Sequence, residues 1–287
     1  MRSAASAEPH WIEHGRTFLS WPPYVPVVQM ILVKLGGSVI TDKCKYRTFN
    51  DETVRRLAKE IVSSGERIVL VHGAGSYGHV VAKKYQLQHG KTSETQNKGV
   101  AQVSSDVREL DTLIINALVS EGLDAVSIVP GSSCRLEEGE LNDMDVSKFR
   151  QFFELGITPV TFGDVVLDSV RGFGICSGDQ LMMRLAEEFR PDRVIFVTDV
   201  DGVFTSDPHD DPDACLIERL DRSSLDQLPR SERCDDVTGS IFAKIEYMLQ
   251  ISCHSKECMI INGNVPGRLR SALQGDATVC CSRVEGD

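Results

Sequence analysis

Three stretches of the chain are apolar almost residue by residue and then stop at glycine: MILVKL before Gly36-Gly37, RIVLVH before Gly73, and ITPVTF before Gly163. A strand with apolar residues at odd and even positions alike buries both faces, which places it in a parallel sheet covered by helices on either side. A half-solvated antiparallel sheet would show alternation instead. Helical periodicity follows over about Asp51–Ser63, Gly99–Glu121 and Thr238–Ser252, while AVSIV (Ala125–Val129), RVIFVTDVDGVF, ECMIING and TVCCSR return to strand-like patterns. Strands alternating with crossover helices predict an α/β fold with a mostly parallel sheet.

Two polar-tipped segments, CRLEEGELN with Gly139 near its tip and DVVLDSVRGFGIC, read as β-hairpins added at the edges of that sheet. Ser177-Gly178-Asp179-Gln180 sets a serine three residues ahead of a glutamine. That is a capping box, and it predicts a helix ending before Pro191. VPGRLRSAL predicts a short helix. No internal repeat or linker divides the chain, and 287 residues suit one large α/β domain. Residues 30–287 are expected to form it, with 30–176 and 177–287 as halves that each carry one ligand. Residues 1–29 hold Pro22, Pro23 and Pro26, and Glu8 and Glu13 without an apolar core, so they read as a loosely ordered extension, with organellar targeting as the alternative.

The balance of 31 Lys and Arg against 42 Asp and Glu gives a net charge of −11. Such a surface is unsuited to holding nucleic acid or an anionic membrane non-specifically. Anionic ligands must therefore be met by cations placed locally. The nine cysteines include no C-x-x-C, and Cys253 and Cys258 have no histidine pair at zinc-finger spacing. An odd count without a secretory signal reads as reduced thiols in a cytoplasmic setting. No apolar run approaches the ~18 residues that suggest a membrane-spanning helix.

In a parallel sheet the turns that follow the strands share one edge, where ligands bind. KLGGS (Lys34–Ser38), HGAGSYGH (His72–His79) and TFGD (Thr161–Asp164) are three such turns. Their glycines let N–H groups approach phosphate oxygens, and a following helix adds its positive end. One glycine turn is only a turn, whereas three on one edge point to a phosphate-rich ligand. Lys34 ends an apolar strand, where an ammonium either snorkels to solvent or meets an anion, and the glycine pair just after it favours the anion. Lys43, near the same loop, reads on its own as a surface lysine. DVTGSIFAK opens a helix at Thr238-Gly239-Ser240 with Lys244 near its start, and on its own reads as a capped helix with an exposed lysine. Asp179 either favours its helix dipole or orients Lys34 and Lys244, and Asp199 either caps a turn or faces a nucleotide. Walker A and protein-kinase signatures are both missing.

ILVKLGGSVITDK, IVLVHGAGSYGH, ITPVTFGDVVLDS, SGDQL, TDVDGVFTSDP and DVTGSIFAK, in this order, resemble the amino acid kinase superfamily and, within it, the isopentenyl phosphate kinases. The resemblance runs from about Met30 to the C-terminus. It implies a three-layer αβα sandwich with an open central sheet, a homodimer, and ATP-dependent phosphorylation of isopentenyl phosphate to isopentenyl diphosphate in isoprenoid biosynthesis, with Mg²⁺. Under it, Lys34, Gly36, Gly37, Ser38, Gly75 and Gly239 meet ATP, Lys244 supports the β/γ end, and Lys43 lies near the transferred group. Asp179 organises the lysines, and Asp199, Val203 and Pro208 fall where base and ribose bind. His79, which alone would read as an exposed helix-start histidine, matches the residue that binds the acceptor phosphate, with Ala74 and Gly163 as backbone contacts. The half 30–176 is then the acceptor side and 177–287 the nucleotide side.

Chemistry agrees with this resemblance. A phosphate monoester has its second pKa near ~6, so the attacking oxygen is already ionised and needs no general base. The protein has to align two anions and offset their repulsion, with Mg²⁺ held through ATP and water. A fosfomycin-type kinase is the nearest alternative and would need a compact polar pocket in place of an apolar one. Tyr85, Val100, Val103 and Val107 are the expected apolar wall. Uridylate kinase and a non-catalytic nucleotide sensor are more remote alternatives.

Overall fold

The computed structural model describes residues 29–286 except 43–44, 207, 209 and 226–240. Lys43 and Gly239 therefore lie outside the described residues. The N-terminal part runs β1 (Ile31–Leu35), α1 (Gly37–Ile40), α2 (Asp51–Ser64), β2 (Ile68–His72), α3 (Gly75–Tyr85), α4 (Gln96–Ser120), β3 (Ala125–Ser127) and α5 (Pro130–Ser133). Next come β4 (Cys134–Glu137), β5 (Glu140–Met144), α6 (Ser147–Glu154), β6 (Thr158–Phe162), β7 (Asp164–Asp168) and β8 (Gly172–Cys176). The remainder is α7 (Gly178–Phe189), β9 (Arg193–Thr198), β10 (Arg219–Leu220), α8 (Arg222–Leu225), α9 (Ile241–Ser252), β11 (Glu257–Asn262), α10 (Arg268–Leu273) and β12 (Ser282–Val284).

An eight-stranded sheet has the order β10-β12-β11-β9-β1-β2-β6-β3. Its pairings are parallel except β11 with β12. The central strand β1 is matched residue by residue to β2 on one side and β9 on the other. Alternate residues of the same strands enter two separate cores, as expected of strands buried on both faces. Ile31, Val33, Leu35, Ile68 and Leu70 face a core shared with α2, α4 and α10. Leu32, Val69 and Val71 face one shared with α6, α7 and α9. The chain is thus an α/β sandwich with helices on both sides of a mostly parallel sheet.

The two hairpins form where the sequence places them, but they do not extend the edges of the large sheet. They assemble into a separate four-stranded sheet, β5-β4-β7-β8. The physical reason is that β6, from which β7 follows after Gly163 alone, has both edges occupied by β2 and β3. Gly139, at the tip of the β4–β5 hairpin, has φ +94°, a left-handed conformation suited to glycine. The long run RVIFVTDVDGVF is strand only through Thr198. The capping box is present in full: Gln180 N–H donates to Ser177 Oγ at 3.2 Å, and Ser177 N–H donates to Gln180 Oε1 at 3.2 Å. Among the described residues, no helix is long and apolar enough to cross a membrane.

Candidate active site

The ends of four adjacent strands are tied across by backbone hydrogen bonds. Gly36 N–H donates to Val197 O at 2.8 Å, Gly73 N–H to Leu35 O at 2.9 Å, and Gly163 N–H to His72 O at 3.1 Å. The three glycine turns thus form one continuous edge. They are also packed backbone against backbone. A Cβ on Gly37 would stand 2.7 Å from Gly75 Cα, and one on Gly73 would stand 2.8 Å from Gly37 N. The helices α1, α3 and α7 all begin at this edge, and a helix start presents N–H groups without intrahelical partners.

Above the edge lies a cleft of about 520 Å³. Lys34, Gly36, Gly37, Ser38, Ala74, Gly75, His79, Gly163, Asp179 and Lys244 all line it. The fold therefore gathers these residues from five of the sequence motifs into one cavity. Lys34 Nζ is 2.5 Å from Asp179 Oδ1, with side chains 14% and 6% exposed. A buried ammonium needs such a partner, because its desolvation costs several kcal/mol if unpaired (on the order of that per ion). The contact is tight: a Cβ on Gly178 would come 3.1 Å from Lys34 Cε. Ser38 Oγ donates to Asp199 Oδ1 at 2.7 Å, linking the first glycine turn to the end of β9. His79 is half-buried on α3, and Lys244 is half-buried in the first described turn of α9.

Three predicted nucleotide residues stand apart from the cavity lining: Asp199, which reaches its edge only through Ser38, Val203 and Pro208. Val203 is buried in the core of the α6–α7–α9 side, its N–H donating to Ser282 Oγ at 2.9 Å. Pro208 lies in a turn that does not line the cleft. Of the expected apolar wall, Val103 reaches the cleft, while Val107, Val100 and Tyr85 pack in a small core behind it with Phe162 and Val81.

Some lining residues escaped the sequence reading. Lys83 follows His79 by one helical turn and lines the same cavity, as do Ile175 and Met248. The i, i+4 spacing of His79 and Lys83 on one helix is the signal that could have found the lysine. Asp164, in the quoted TFGD, is 2% exposed. Burial pushes its carboxyl up to about 6, although Val165 N–H, Arg108 and Gly131 N–H all favour the charged form. Of the other two carboxylates, Asp179 is engaged by Lys34 and Asp199 by Ser38.

Comparison with known proteins bears on what this cavity serves. The model of the amino acid kinase family matches residues 29–262. An isopentenyl phosphate kinase of Methanothermobacter thermautotrophicus is 38% identical over 257 residues, covering 86% of this chain and 96% of the relative. Its counterpart in Arabidopsis thaliana is 30% identical, covering 85% and 90%. A crystal structure of the T. acidophilum isopentenyl phosphate kinase in its product complex superposes with a TM-score of 0.75 at 31% identity, over 89% of this chain and 100% of that one. The chain belongs to the amino acid kinase family and, within it, to the isopentenyl phosphate kinases.

Proposed function

We propose that the chain transfers the γ-phosphoryl group of ATP to isopentenyl phosphate, giving isopentenyl diphosphate. The observation that carries this reading is the Lys34–Asp179 pair at 2.5 Å, in a cavity edged by glycine turns and shared with His79 and Lys244. It is an arrangement for two phosphates. The relatives named isopentenyl phosphate kinase support it.

In this reading Lys34 and the N–H groups around Gly36, Gly37 and Gly75 hold the ATP phosphates, with Ser38 and Asp199 on the nucleotide side. Asp179 keeps Lys34 Nζ in place, and Lys244 supports the β/γ end. His79 donates from its imidazole N–H to the acceptor phosphate, aided by the backbone at Ala74 and Gly163. The acceptor oxygen attacks in line without a general base, since a monoester is already largely ionised near neutral pH. The residues present fit Mg²⁺ carried by ATP. Among the described residues, no group of three or more His, Cys, Asp or Glu side chains is placed to hold a metal by itself, and Mg²⁺ in phosphoryl-transfer sites keeps waters and phosphate oxygens as ligands. When bound, it supplies charge neutralisation on the ATP oxygens. Lys43 is assigned to the neighbourhood of the transferred group, and Gly239 to ATP, by the resemblance of their motifs to those of the family.

Val103 and Ile175 in the lining favour a hydrocarbon tail over the compact polar fosfomycin. The acceptor side lies in residues 30–176 and the nucleotide side in 177–287, with residues 1–29 outside the catalytic domain. The working unit is a homodimer in the cytoplasm. The test is ATP turnover with Mg²⁺ against isopentenyl phosphate, dimethylallyl phosphate, fosfomycin and UMP. Turnover with a prenyl phosphate is expected, and its absence with both would sink the reading. His79→Ala should raise the acceptor KM by about tenfold or more while leaving the ATP KM within about twofold. Equal losses for both ligands would displace His79 from the acceptor.

A further inference from the structure

The first histidine of HGAGSYGH is left without a role by the reading above. His72 is 0% exposed, at the C-terminal end of β2 and directly before the glycine turn. Its Nε2 is 3.2 Å from Asp111 Oδ1, and its Nδ1 is 3.1 Å from the carbonyl oxygen of Gly73. Asp111 is 5% exposed on α4, and its other oxygen accepts from Ser127 Oγ at 2.5 Å. The imidazole also stacks on Phe162, with centroids 5.2 Å apart and planes at 17°. Ring position is therefore set from three sides.

A carbonyl oxygen can only accept a hydrogen bond, and so can an ionised carboxylate such as Asp111, whose other oxygen accepts from the Ser127 hydroxyl. A neutral imidazole has one N–H and can serve one of these neighbours. Serving both takes two ring protons. Deep burial sharpens the demand, since an unmet buried acceptor costs about 1–3 kcal/mol. We propose that His72 is a buried imidazolium, ion-paired to Asp111, that positions the glycine turn for the acceptor phosphate and sets a positive charge behind it.

The consequences follow from where His72 sits. Its ring engages the Gly73 carbonyl, a group that would repel a phosphate if it pointed into the cavity. Its own carbonyl takes the Gly163 N–H at 3.1 Å, so one residue joins the second and third turns. The ion pair joins an imidazolium in the residue next to the turn to a carboxylate on α4. In a chain of net charge −11, a cation fixed at this point offsets local repulsion of an incoming dianion. Because α4 also carries Val103 of the cleft wall, the wall and the turn share one rigid support. His72 is thus a positioning residue, since it need not touch either ligand.

The functional half of this inference rests on the kinase reading, whereas the proton count does not. NMR of the full chain labelled with ¹⁵N-histidine reads the count directly, with His72 assigned by the signal lost in His72→Gln. Two protected ring N–H protons at neutral pH are expected, and a singly protonated His72 would overturn the proposal whatever the enzyme's activity. For the functional half, Asp111→Asn keeps an acceptor oxygen but removes the charge. It should raise the acceptor KM about tenfold with the ATP KM within about twofold, and turnover parameters unchanged from wild type would overturn that half. If the variant fails to fold, the NMR measurement on the wild-type chain still decides. A wild-type chain that phosphorylates no prenyl phosphate would instead remove the kinase reading and leave the proton count standing.

Discussion

Asp164 is a carboxylate in the wall of a cleft suited to anions, and its burial moves it from the ordinary 3.8 up to about 6. Desolvation is the main cause, and Asp111 nearby adds to it. The folded form of the group binds its proton more tightly than the unfolded form. Its stabilising contribution is therefore complete below pH ~4 and is lost as pH rises through ~6, a loss of roughly 3 kcal/mol in full. Asp164→Asn removes this dependence. Relative to wild type, the variant should gain about 1.5 kcal/mol between pH 5 and pH 8, measured by urea unfolding at both values. A constant difference across that range would mean that Asp164 titrates normally. The sequence did not single out this residue, because TFGD reads as a turn in which glycine carries the interest. Burial of a short acidic side chain depends on what packs over it, here α5 and Arg108 on α4, and neither is local in the chain.

At the scale of elements, α7 shows how a local signal positions a distant charge. The Ser177 cap and the Gln180 return bond fix the first turn. Asp179 in that turn then meets Lys34 from β1, 145 residues away in sequence. Ser177→Ala should cost about 1 kcal/mol of stability, and should lower kcat by weakening the hold of Asp179 on Lys34. Thermal unfolding and initial rates check the two effects together. A stability loss with kcat unchanged would uncouple the cap from the site. The capping box was legible because it is contained in four residues. The strands β1, β2, β6, β9 and β11 were legible too, since burial on both faces leaves a continuous apolar run. Partner choice was not. CRLEEGELN and DVVLDSVRGFGIC announce their turns, but nothing within them says that β4 will lie beside β7 instead of beside the large sheet. The same limit explains His72, whose partner Asp111 and that residue's partner Ser127 lie on other elements.

At the scale of the whole molecule, the proposed acceptor half (30–176) and nucleotide half (177–287) are not two folding units. β1 from the first half is paired along its length with β9 from the second. One core contains Ile31 and Leu70 together with Ile195 and Met259, and the other contains Val69 and Leu136 together with Leu181 and Ile260. Neither half can leave without exposing the apolar surface of the other. The cleft is lined by both, with His79 from one side and Lys244 from the other, so a ligand that binds there stabilises the joined structure alone. Unfolding of the full chain in denaturant should be a single transition, coincident by far-UV circular dichroism and tryptophan-independent near-UV signals. ATP with Mg²⁺ at a hundredfold excess over its Kd should raise the unfolding free energy by about 2.7 kcal/mol in that same transition. If the halves were independent, two transitions would appear and nucleotide would shift only the one belonging to residues 177–287. Such a split would contradict the shared cores, and with them the picture of a rigid glycine edge holding donor and acceptor in line.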